Sequence, residues 1–305
     1  MKALKSSIVL KAASTVAIAL VLLVSSCKKD AELLNASDTQ NLNSESISDS
    51  YLDEANDVSN IAIAGVSDVQ YGNARTEGDP VTNLGDIDDR LKCATVTITR
   101  SPNSNTTNPV GSIVIDFGTG CTDARGVVRK GKITINYTGR RFAPNSTIIT
   151  TFQDFFRNGV KVEGTHTLTN VTSTNVSYLR FNVVIAGGKL TFPDGKTITR
   201  EHNFTREWQR ATNPTQDKWV ILAGSSASGT NKSGKSYVMN VTKDLVYSRA
   251  CQISNQVFIA VSGTKAFTVD GRVYSVDYGD GACDNTITVS LGGVSKTITV
   301  NADGN

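Results

Sequence analysis

Residues 132–139 read KITINYTG, in which the apolar side chains of Ile133, Ile135 and Tyr137 occupy alternate positions. Alternation with a period of two indicates a β-strand that has one buried face. Comparable runs, rich in threonine, valine, isoleucine and aromatic residues, recur at 146–152, 160–170, 196–208, 235–243, 272–279 and 286–300. The pattern predicts a mainly β body, built as one long antiparallel meander of about ten to fourteen strands.

Turn signals separate these runs, and each ends in glycine, at 124–126, 157–159, 193–195, 232–234 and 269–271. Glycine, preceded by asparagine or aspartate, supplies the positive φ angles that two-residue hairpin turns need. The five glycines are spaced 33, 36, 39 and 37 residues apart, which indicates repeated hairpins but is too irregular for a solenoid. Because an open sheet of this many strands tends to curl, we expect a half-barrel or roll.

The residues before the strands divide into two kinds. Residues 28–48 are polar and rich in serine, asparagine and acidic residues, which predicts a flexible tether. From Tyr51 onward, apolar residues recur at spacings of three and four, namely Leu52, Ala55, Val58, Ala62, Val66 and Val69. This spacing predicts a helix near 50–70 that packs on the sheet. The predicted plan is therefore an acidic lead at 28–90 and a single β domain at 91–305.

The first 27 residues have the pattern of a secretion signal. Lys2, Lys5 and Lys11 form a basic start, and residues 12–24 form an apolar run too short to span a membrane as a helix. VSSC at 24–27 resembles a bacterial lipobox, which implies cleavage before Cys27 and its lipidation, palmitate included. Lys28 follows the cysteine, and by resemblance to Gram-negative lipoproteins this favours lipid anchoring at the outer membrane, on either its periplasmic or its exterior face.

Four further cysteines remain, namely Cys93, Cys121, Cys251 and Cys283. An exported chain meets oxidising conditions, so an even number of cysteines indicates disulfides. Three pairings are possible, and the local patterns favour Cys93–Cys121 and Cys251–Cys283, each clamping a hairpin at one end of the sheet. The sequence has no Cys-x-x-Cys motif, which argues against a zinc site.

The two cysteine segments have similar sequences. IDFGTGC at 115–121 and VDYGDGAC at 276–283 both place aspartate, an aromatic residue and two glycines before the cysteine. Together with DFGTGCTD, GKITINYTG and DYGDGACDN, the lipobox and the acidic lead, the chain resembles a family of uncharacterised exported lipoproteins of Gram-negative bacteria. The resemblance implies a fold and a location but no activity. DYGDG alone also resembles the signature turn of PKD-type immunoglobulin-like modules.

Charge is distributed unevenly along the chain. Residues 28–90 hold 14 acidic and 4 basic residues, a balance of −10, whereas residues 91–305 hold 14 acidic and 24 basic residues, a balance of +10. A basic body is compatible with an anionic partner. Nucleic acid is an improbable partner for an exported lipoprotein.

Three sets of residues are candidate sites. Asp277, Asp280 and Asp284 form a weak calcium candidate, but their spacing of three and four favours a hairpin turn whose amides they satisfy. The two histidines, His166 and His202, share strand parity with apolar neighbours, which favours a core position over a metal or acid–base role.

The third set is a possible binding face. Arg200, His202, Phe204, Arg206 and Trp208 share one parity, and Trp219 follows on the next predicted strand. Mixed aromatic and basic side chains on a sheet surface favour a groove for a sugar, a lipid headgroup or a polyanion. The alternative is that the arginine stems lie over a core face on which Trp208 packs.

No Gly-x-Ser-x-Gly, His-Glu-x-x-His or phosphate-cradling motif is present, and we predict neither catalytic residues nor a cofactor. We expect a lipid-anchored outer-membrane protein with a non-enzymatic binding or envelope-structural role, whose partner is an anionic glycan or an exported envelope protein. The alternative is a hydrolase of envelope or extracellular polysaccharide with unrecognised carboxylates, for which Glu163, Glu201 and Glu207 are candidates.

Overall fold

A computed structural model describes residues 88–255 and 257–300, and part of the segment 42–63, namely residues 42, 44, 45, 47, 48, 51, 52, 54, 58, 59 and 61–63. The predicted signal segment, Cys27 and residues 28–41 of the predicted tether lie outside the described residues. Among the described residues, no helix is long and apolar enough to cross a membrane.

The body is one antiparallel sheet of fifteen strands. The strands are β1 Thr95–Arg100, β2 Val110–Asp116, β3 Cys121–Thr122, β4 Val128–Thr138, β5 Thr147–Arg157, β6 Val160–Asn170, β7 Leu179–Thr191, β8 Thr197–Gln209, β9 Lys218–Ile221, β10 Ser226–Thr230, β11 Ser236–Ser248, β12 Ser262–Val269, β13 Arg272–Asp280, β14 Thr286–Leu291 and β15 Val294–Thr299. Beyond residue 88, short 3-10 helices occupy Asp89–Leu91 and Pro214–Gln216, and an α-helix, α1, runs Arg249–Asn255.

Strands follow one another across the sheet in nearly the order of the chain. The order is β1-β2-β4-β5-β6-β7-β8-β10-β11-β12-β13-β14-β15, with β3 beside β4 and β9 beside both β8 and β11. The mainly β meander predicted from alternation is confirmed, and β1 and β15 are the edges of an open sheet. The strand number exceeds the prediction because β3 and β9, of two and four residues, are too short to leave an alternating pattern.

The turn signals mark real hairpins. All five predicted turn glycines fall between consecutive paired strands and adopt positive φ angles, from 74° to 81°. Asn158 and Asp270 precede two of them and also have positive φ, at 46° and 49°. Two successive residues with positive φ are the requirement of the type I′ turn, whose twist suits a two-residue hairpin.

The hydrophobic core lies on one face of the sheet, beneath the segment 42–63. Ile133, Ile135 and Tyr137, the alternating residues of 132–139, are fully buried there. The described residues between 51 and 63 are helical, which confirms the predicted helix for that part, and Leu52 and Ala62 pack into the same cluster. Ala55, Val66 and Val69 of the predicted stripe lie outside the described residues.

The helical conformation extends further toward the N-terminus than the sequence indicated. Ser44, Glu45 and Ser48, which fall within the predicted tether, are helical and at most 3% exposed. Their polar side chains gave no local sign of burial, because the groups they contact lie far along the chain. The backbone N–H of Lys232, for example, donates to Ser44 Oγ at 3.1 Å.

Both predicted disulfides are present. Cys93 pairs with Cys121 and Cys251 pairs with Cys283, with Cα atoms 5.6 and 5.1 Å apart. The first joins the residues before β1 to β3. The second does not clamp a terminal hairpin as predicted, because it joins α1 to the turn after β13, and β14 and β15 lie beyond it.

Candidate functional site

In the structure, one half of the predicted binding face is buried and the other half is partly exposed. Arg200, His202 and Phe204 are 1%, 6% and 8% exposed and lie on the inner face of β8. Arg206 and Trp208, toward the end of the same strand, are half-buried. The six residues therefore do not form one continuous surface, and only the half-exposed members are accessible to a partner.

The buried half forms a charged centre inside the protein. Glu45, from the helical segment, lies between two cations, with its Oε2 2.9 Å from Lys265 Nζ and its Oε1 3.8 Å from Arg200 Nη1. Arg200 Nη1 also donates to the Tyr237 hydroxyl at 3.3 Å. Because buried charges are tolerated when they are paired, this centre fixes the helical segment on the sheet.

The two histidines are buried and neutral. Burial lowers the pKa of His166 to about 4, and burial, followed by the positive charges of Arg200 and Arg206 and by His166, lowers the pKa of His202 to about 2. His202 stacks on Phe204 with ring centroids 4.1 Å apart. Among the residues that the structure describes, neither ring nitrogen of His202 has a hydrogen-bond partner, so the histidine is in the core, as favoured, but its polar atoms are not satisfied by these residues.

The two histidines lie on the strands on either side of β7. His166 and His202 lie opposite Ile185 on its two sides, so one strand separates them and their backbones are about 10 Å apart. Within the described part of the chain, no group of three or more histidine, cysteine, aspartate or glutamate side chains converges as metal ligands would.

Two of the aspartates of 276–285 accept hydrogen bonds from backbone N–H groups of the turn. Asp277 Oδ1 accepts a hydrogen bond from the Gly279 N–H at 2.8 Å, and Asp284 Oδ1 accepts one from the Thr286 N–H at 2.9 Å. Asp280 ends β13 opposite Ser262. This is the role that the turn interpretation predicts.

The equivalent aspartate of the other cysteine segment makes the same contact. Asp116 Oδ1 accepts from the Gly118 N–H at 2.8 Å, as Asp277 does from Gly279. Gly118 and Gly279 both have positive φ, at 58° and 82°. The repeated sequence pattern is therefore a repeated turn.

The half-exposed end of β8 carries a stack of aromatic rings and guanidinium groups. Trp208 on β8 and Trp219 on β9 are directly opposite each other, and their rings stack with centroids 5.1 Å apart and an angle of 16° between the planes. The Arg206 guanidinium lies over Trp219 at 4.7 Å, and that of Arg210 lies over Trp208 at 5.1 Å. Cation–π contacts of this kind hold a guanidinium in a defined place.

A third arginine joins the stack from the loop between β4 and β5. Phe142 lies 5.8 Å from Trp208, and the Arg141 guanidinium lies over the Phe142 ring at 5.1 Å. We call these six residues the guanidinium–aromatic cluster, and they are Arg141, Phe142, Arg206, Trp208, Arg210 and Trp219. Each of its three rings carries one guanidinium group.

The carboxylates nearest this cluster do not pair with Arg206 or Arg210. Asp217 accepts from Trp208 Nε1 at 3.0 Å and from the Ala211 N–H at 2.8 Å. Glu207 is buried on the opposite face, where its Oε2 lies 2.8 Å from Arg180 Nε. Neither Arg206 nor Arg210 forms an ion pair with any residue that the structure describes. Arg206 and Arg210 therefore contribute positive charge that forms no ion pair with the described residues.

Sequence reasoning found part of this cluster. Arg206, Trp208 and Trp219 were predicted from strand parity, which places side chains on one face. Arg210, at the end of β8, and Arg141 and Phe142, in a loop some 65 residues earlier, were missed as members. A loop has no periodicity, so no local pattern connects Phe142 to the tryptophans.

The three carboxylates considered for hydrolysis each have their own local contact. Glu201 accepts from the Gly187 N–H at 2.8 Å, and Glu163 lies 3.4 Å from Lys161 Nζ. Glu201 and Glu207 are six residues apart on β8, which separates them by about 20 Å. Paired carboxyl groups of glycosidases lie within about 10 Å of each other, so these two do not form such a pair.

Comparison with known proteins gives this chain no relative. No protein-family model, no curated protein and no solved structure matches it. The resemblance to exported lipoproteins stays a prediction. Any function assigned to the chain has to rest on the chemistry of its own side chains.

Proposed function

We propose that this protein is lipid-anchored at the outer membrane through Cys27 and has a non-enzymatic binding role there. Its guanidinium–aromatic cluster binds an anionic envelope glycan or the acidic surface of an exported partner. The observation that carries the proposal is the positive charge of Arg206 and Arg210, which no described carboxylate neutralises.

Guanidinium chemistry supports an anionic partner. A guanidinium is planar, always charged, and presents N–H donors in a fork that matches the oxygens of carboxylate and phosphate groups. Stacking on an aromatic ring orders the arginine before a ligand arrives, so less side-chain entropy is lost on binding. The balance of +10 over residues 91–305 adds a long-range attraction for anions.

The anchor supports a role close to the membrane. VSSC at 24–27 has the lipobox pattern, and Cys27 precedes the first described helical residue, Leu42, by fifteen positions. An extended chain of that length spans at most roughly 50 Å. A lipidated Cys27 therefore holds the body within reach of polymers at the membrane surface.

The experiment is retention of the full chain, purified in mild detergent, on an anionic glycan matrix at increasing salt. We expect retention at low ionic strength and steep loss between about 50 and 300 mM salt, because exposed charges are screened over that range. Arg206→Gln/Arg210→Gln should elute at the lowest salt. Lys189→Gln/Lys243→Gln removes the same charge from exposed sites outside the cluster and should behave like the wild type.

Failure of the wild-type chain to bind at low ionic strength would remove the proposed function. Equal loss of retention in both double variants would contradict the cluster as its site. For the anchor, Cys27→Ser should move the protein from the membrane to the soluble fraction. A Cys27→Ser protein that stayed in the outer membrane would contradict the lipid attachment.

A further inference from the structure

We infer that the guanidinium–aromatic cluster recognises a polyanion by its charged groups at two separate points, and not by stacking against sugar rings. This inference rests on the proposed function and specifies its ligand. The ligand class is a polymer that repeats phosphate, sulfate or carboxylate groups. Neutral polysaccharide is outside this class.

The first step is that each tryptophan ring is in contact with the other tryptophan and with an arginine. Trp208 and Trp219 cover one face of each other, with ring centroids 5.1 Å apart. Arg206 and Arg210 lie over Trp219 and Trp208 at 4.7 and 5.1 Å. Each tryptophan ring therefore has another ring and a guanidinium group against it, which reduces the ring surface left open to a sugar.

The second step is that the polar group of the Trp208 side chain is already engaged. Its Nε1 donates to Asp217 Oδ2 at 3.0 Å, and Phe142 packs against its ring at 5.8 Å. A sugar ring that packs on an aromatic side chain needs an open aromatic face. Because a guanidinium group, which the negative face of the ring attracts, already lies over each tryptophan, a sugar ring would have to compete with a cation for that surface.

The third step is that Arg206 and Arg210 have no ion-pair partner among the described residues, although the Nε atom of Arg206 is itself buried. A guanidinium that stacks on a ring uses its flat face, whereas its N–H groups point outward in its plane. These donors bind the paired oxygens of phosphate, sulfate or carboxylate groups through two parallel hydrogen bonds. The aromatic rings therefore act as supports that orient the arginines.

The fourth step is the spacing between Arg206 and Arg210. Arg206 and Arg210 are four residues apart at the end of β8, which separates their Cα atoms by at most about 13 Å. A polymer that repeats charged groups can engage both arginines at once across this spacing. Linking two contacts in one ligand raises the overall affinity by roughly 100-fold or more over a single contact.

The experiment measures dissociation constants of the full chain for four probes by titration calorimetry in 25 mM salt. The probes are inorganic phosphate, long-chain polyphosphate, heparin and neutral dextran. We expect polyphosphate and heparin to bind at least about 100-fold more tightly than inorganic phosphate, and dextran not to bind. Arg206→Gln/Arg210→Gln should lose this advantage, whereas Lys189→Gln/Lys243→Gln should keep it.

A conservative variant separates forked contacts from charge alone. Arg206→Lys/Arg210→Lys keeps the two charges but replaces each planar fork by an ammonium group, and we expect it to bind polyphosphate roughly tenfold more weakly than the wild type. Unchanged affinity in this variant would overturn recognition by guanidinium forks. Thermal unfolding of each variant, compared with the wild type, checks that the fold is retained.

Two further outcomes distinguish this inference from the proposed function. Dextran binding as tight as heparin binding would overturn charge recognition while leaving a binding role for the protein. Equal affinity for inorganic phosphate and polyphosphate, per phosphate group, would overturn the two-point contact. No binding of any probe would remove both the inference and the proposed function.

Discussion

At the level of single residues, a buried glutamate and a partly buried one attach the helical segment to the sheet. Glu45 lies between Arg200 and Lys265, and its side chain is 4% exposed. Glu54 forms ion pairs with Arg129 and Arg157, and its side chain is 14% exposed. Removing one partner of a buried pair leaves the other charges without compensation, which costs more than the pair contributes.

We therefore predict that Glu45→Ala lowers the free energy of unfolding by about 3–5 kcal/mol. The matched control is Glu163→Ala, because the Glu163 side chain is 38% exposed and its contact with Lys161 is 3.4 Å long. Surface pairs contribute about 0–1 kcal/mol, so the control should change little. Urea denaturation measures both values, and equal small changes in the two variants would contradict a buried anchoring role for Glu45.

The histidines make stability depend on pH. In the unfolded chain a histidine has a pKa near 6.5, whereas in the folded protein burial lowers the pKa of His166 to about 4 and of His202 to about 2. Below about pH 6.5 the unfolded state thus binds protons that the folded state does not. Stability is full above that pH and falls as the pH decreases, by roughly 1.4 kcal/mol per pH unit for each histidine.

His202→Phe should remove about half of this slope. Between pH 6.0 and 4.5, His166 and His202 both contribute, so the wild-type free energy of unfolding should fall about twice as steeply as that of the variant. Carboxylates with lowered pKa, such as Asp123, act mainly at lower pH. Urea denaturation across this range gives both slopes, and identical slopes would show that His202 is protonated in the folded protein.

At the scale of elements, the sequence predicted the strands and turns that depend on residues close together in the chain. The alternation of apolar and polar residues predicted the strands, and Asn158 and Asp270 with their glycines predicted two of the hairpin turns. Both signals are contained within a few residues. The burial of Glu45 depends on Lys265, 220 residues away, so a composition typical of a tether concealed it. Helix α1 was missed because its seven residues make too short a pattern.

The two disulfides were predictable in pairing but not in what they join. Each closes a loop of similar length, with sequence separations of 28 and 32 residues. The chain-entropy relation gives about 3.6 kcal/mol for each loop. Changing both cysteines of either pair to serine should therefore lower the free energy of unfolding by roughly that amount.

Peptide mapping by mass spectrometry without reduction gives the direct check of the pairing. We expect linked peptides containing Cys93 with Cys121 and Cys251 with Cys283. Free thiols at these positions, or a link between Cys121 and Cys251, would contradict the fold at the second cysteine segment and at the edge of the sheet that starts with β1.

At the scale of the whole molecule, the sheet brings together aromatic and arginine side chains from distant parts of the chain. The guanidinium–aromatic cluster combines a loop after β4 with the end of β8 and the start of β9. Strand parity found Arg206, Trp208 and Trp219, but only the folded sheet places Phe142 against them. The acidic lead contributes Glu45 and Glu54 to the inner face, while Arg206 and Arg210, at the end of β8, have no ion-pair partner among the described residues.

Tryptophan fluorescence tests the central claim most directly, because the two tryptophans of the chain, Trp208 and Trp219, both belong to the cluster. Titration of the full chain with long polyphosphate in 25 mM salt should give a saturable change in emission. The change should vanish in 300 mM salt and in Arg206→Gln/Arg210→Gln, but not in Lys189→Gln/Lys243→Gln. Polyphosphate binding that calorimetry detects while the tryptophan emission stays unchanged would place the binding surface elsewhere and contradict the account.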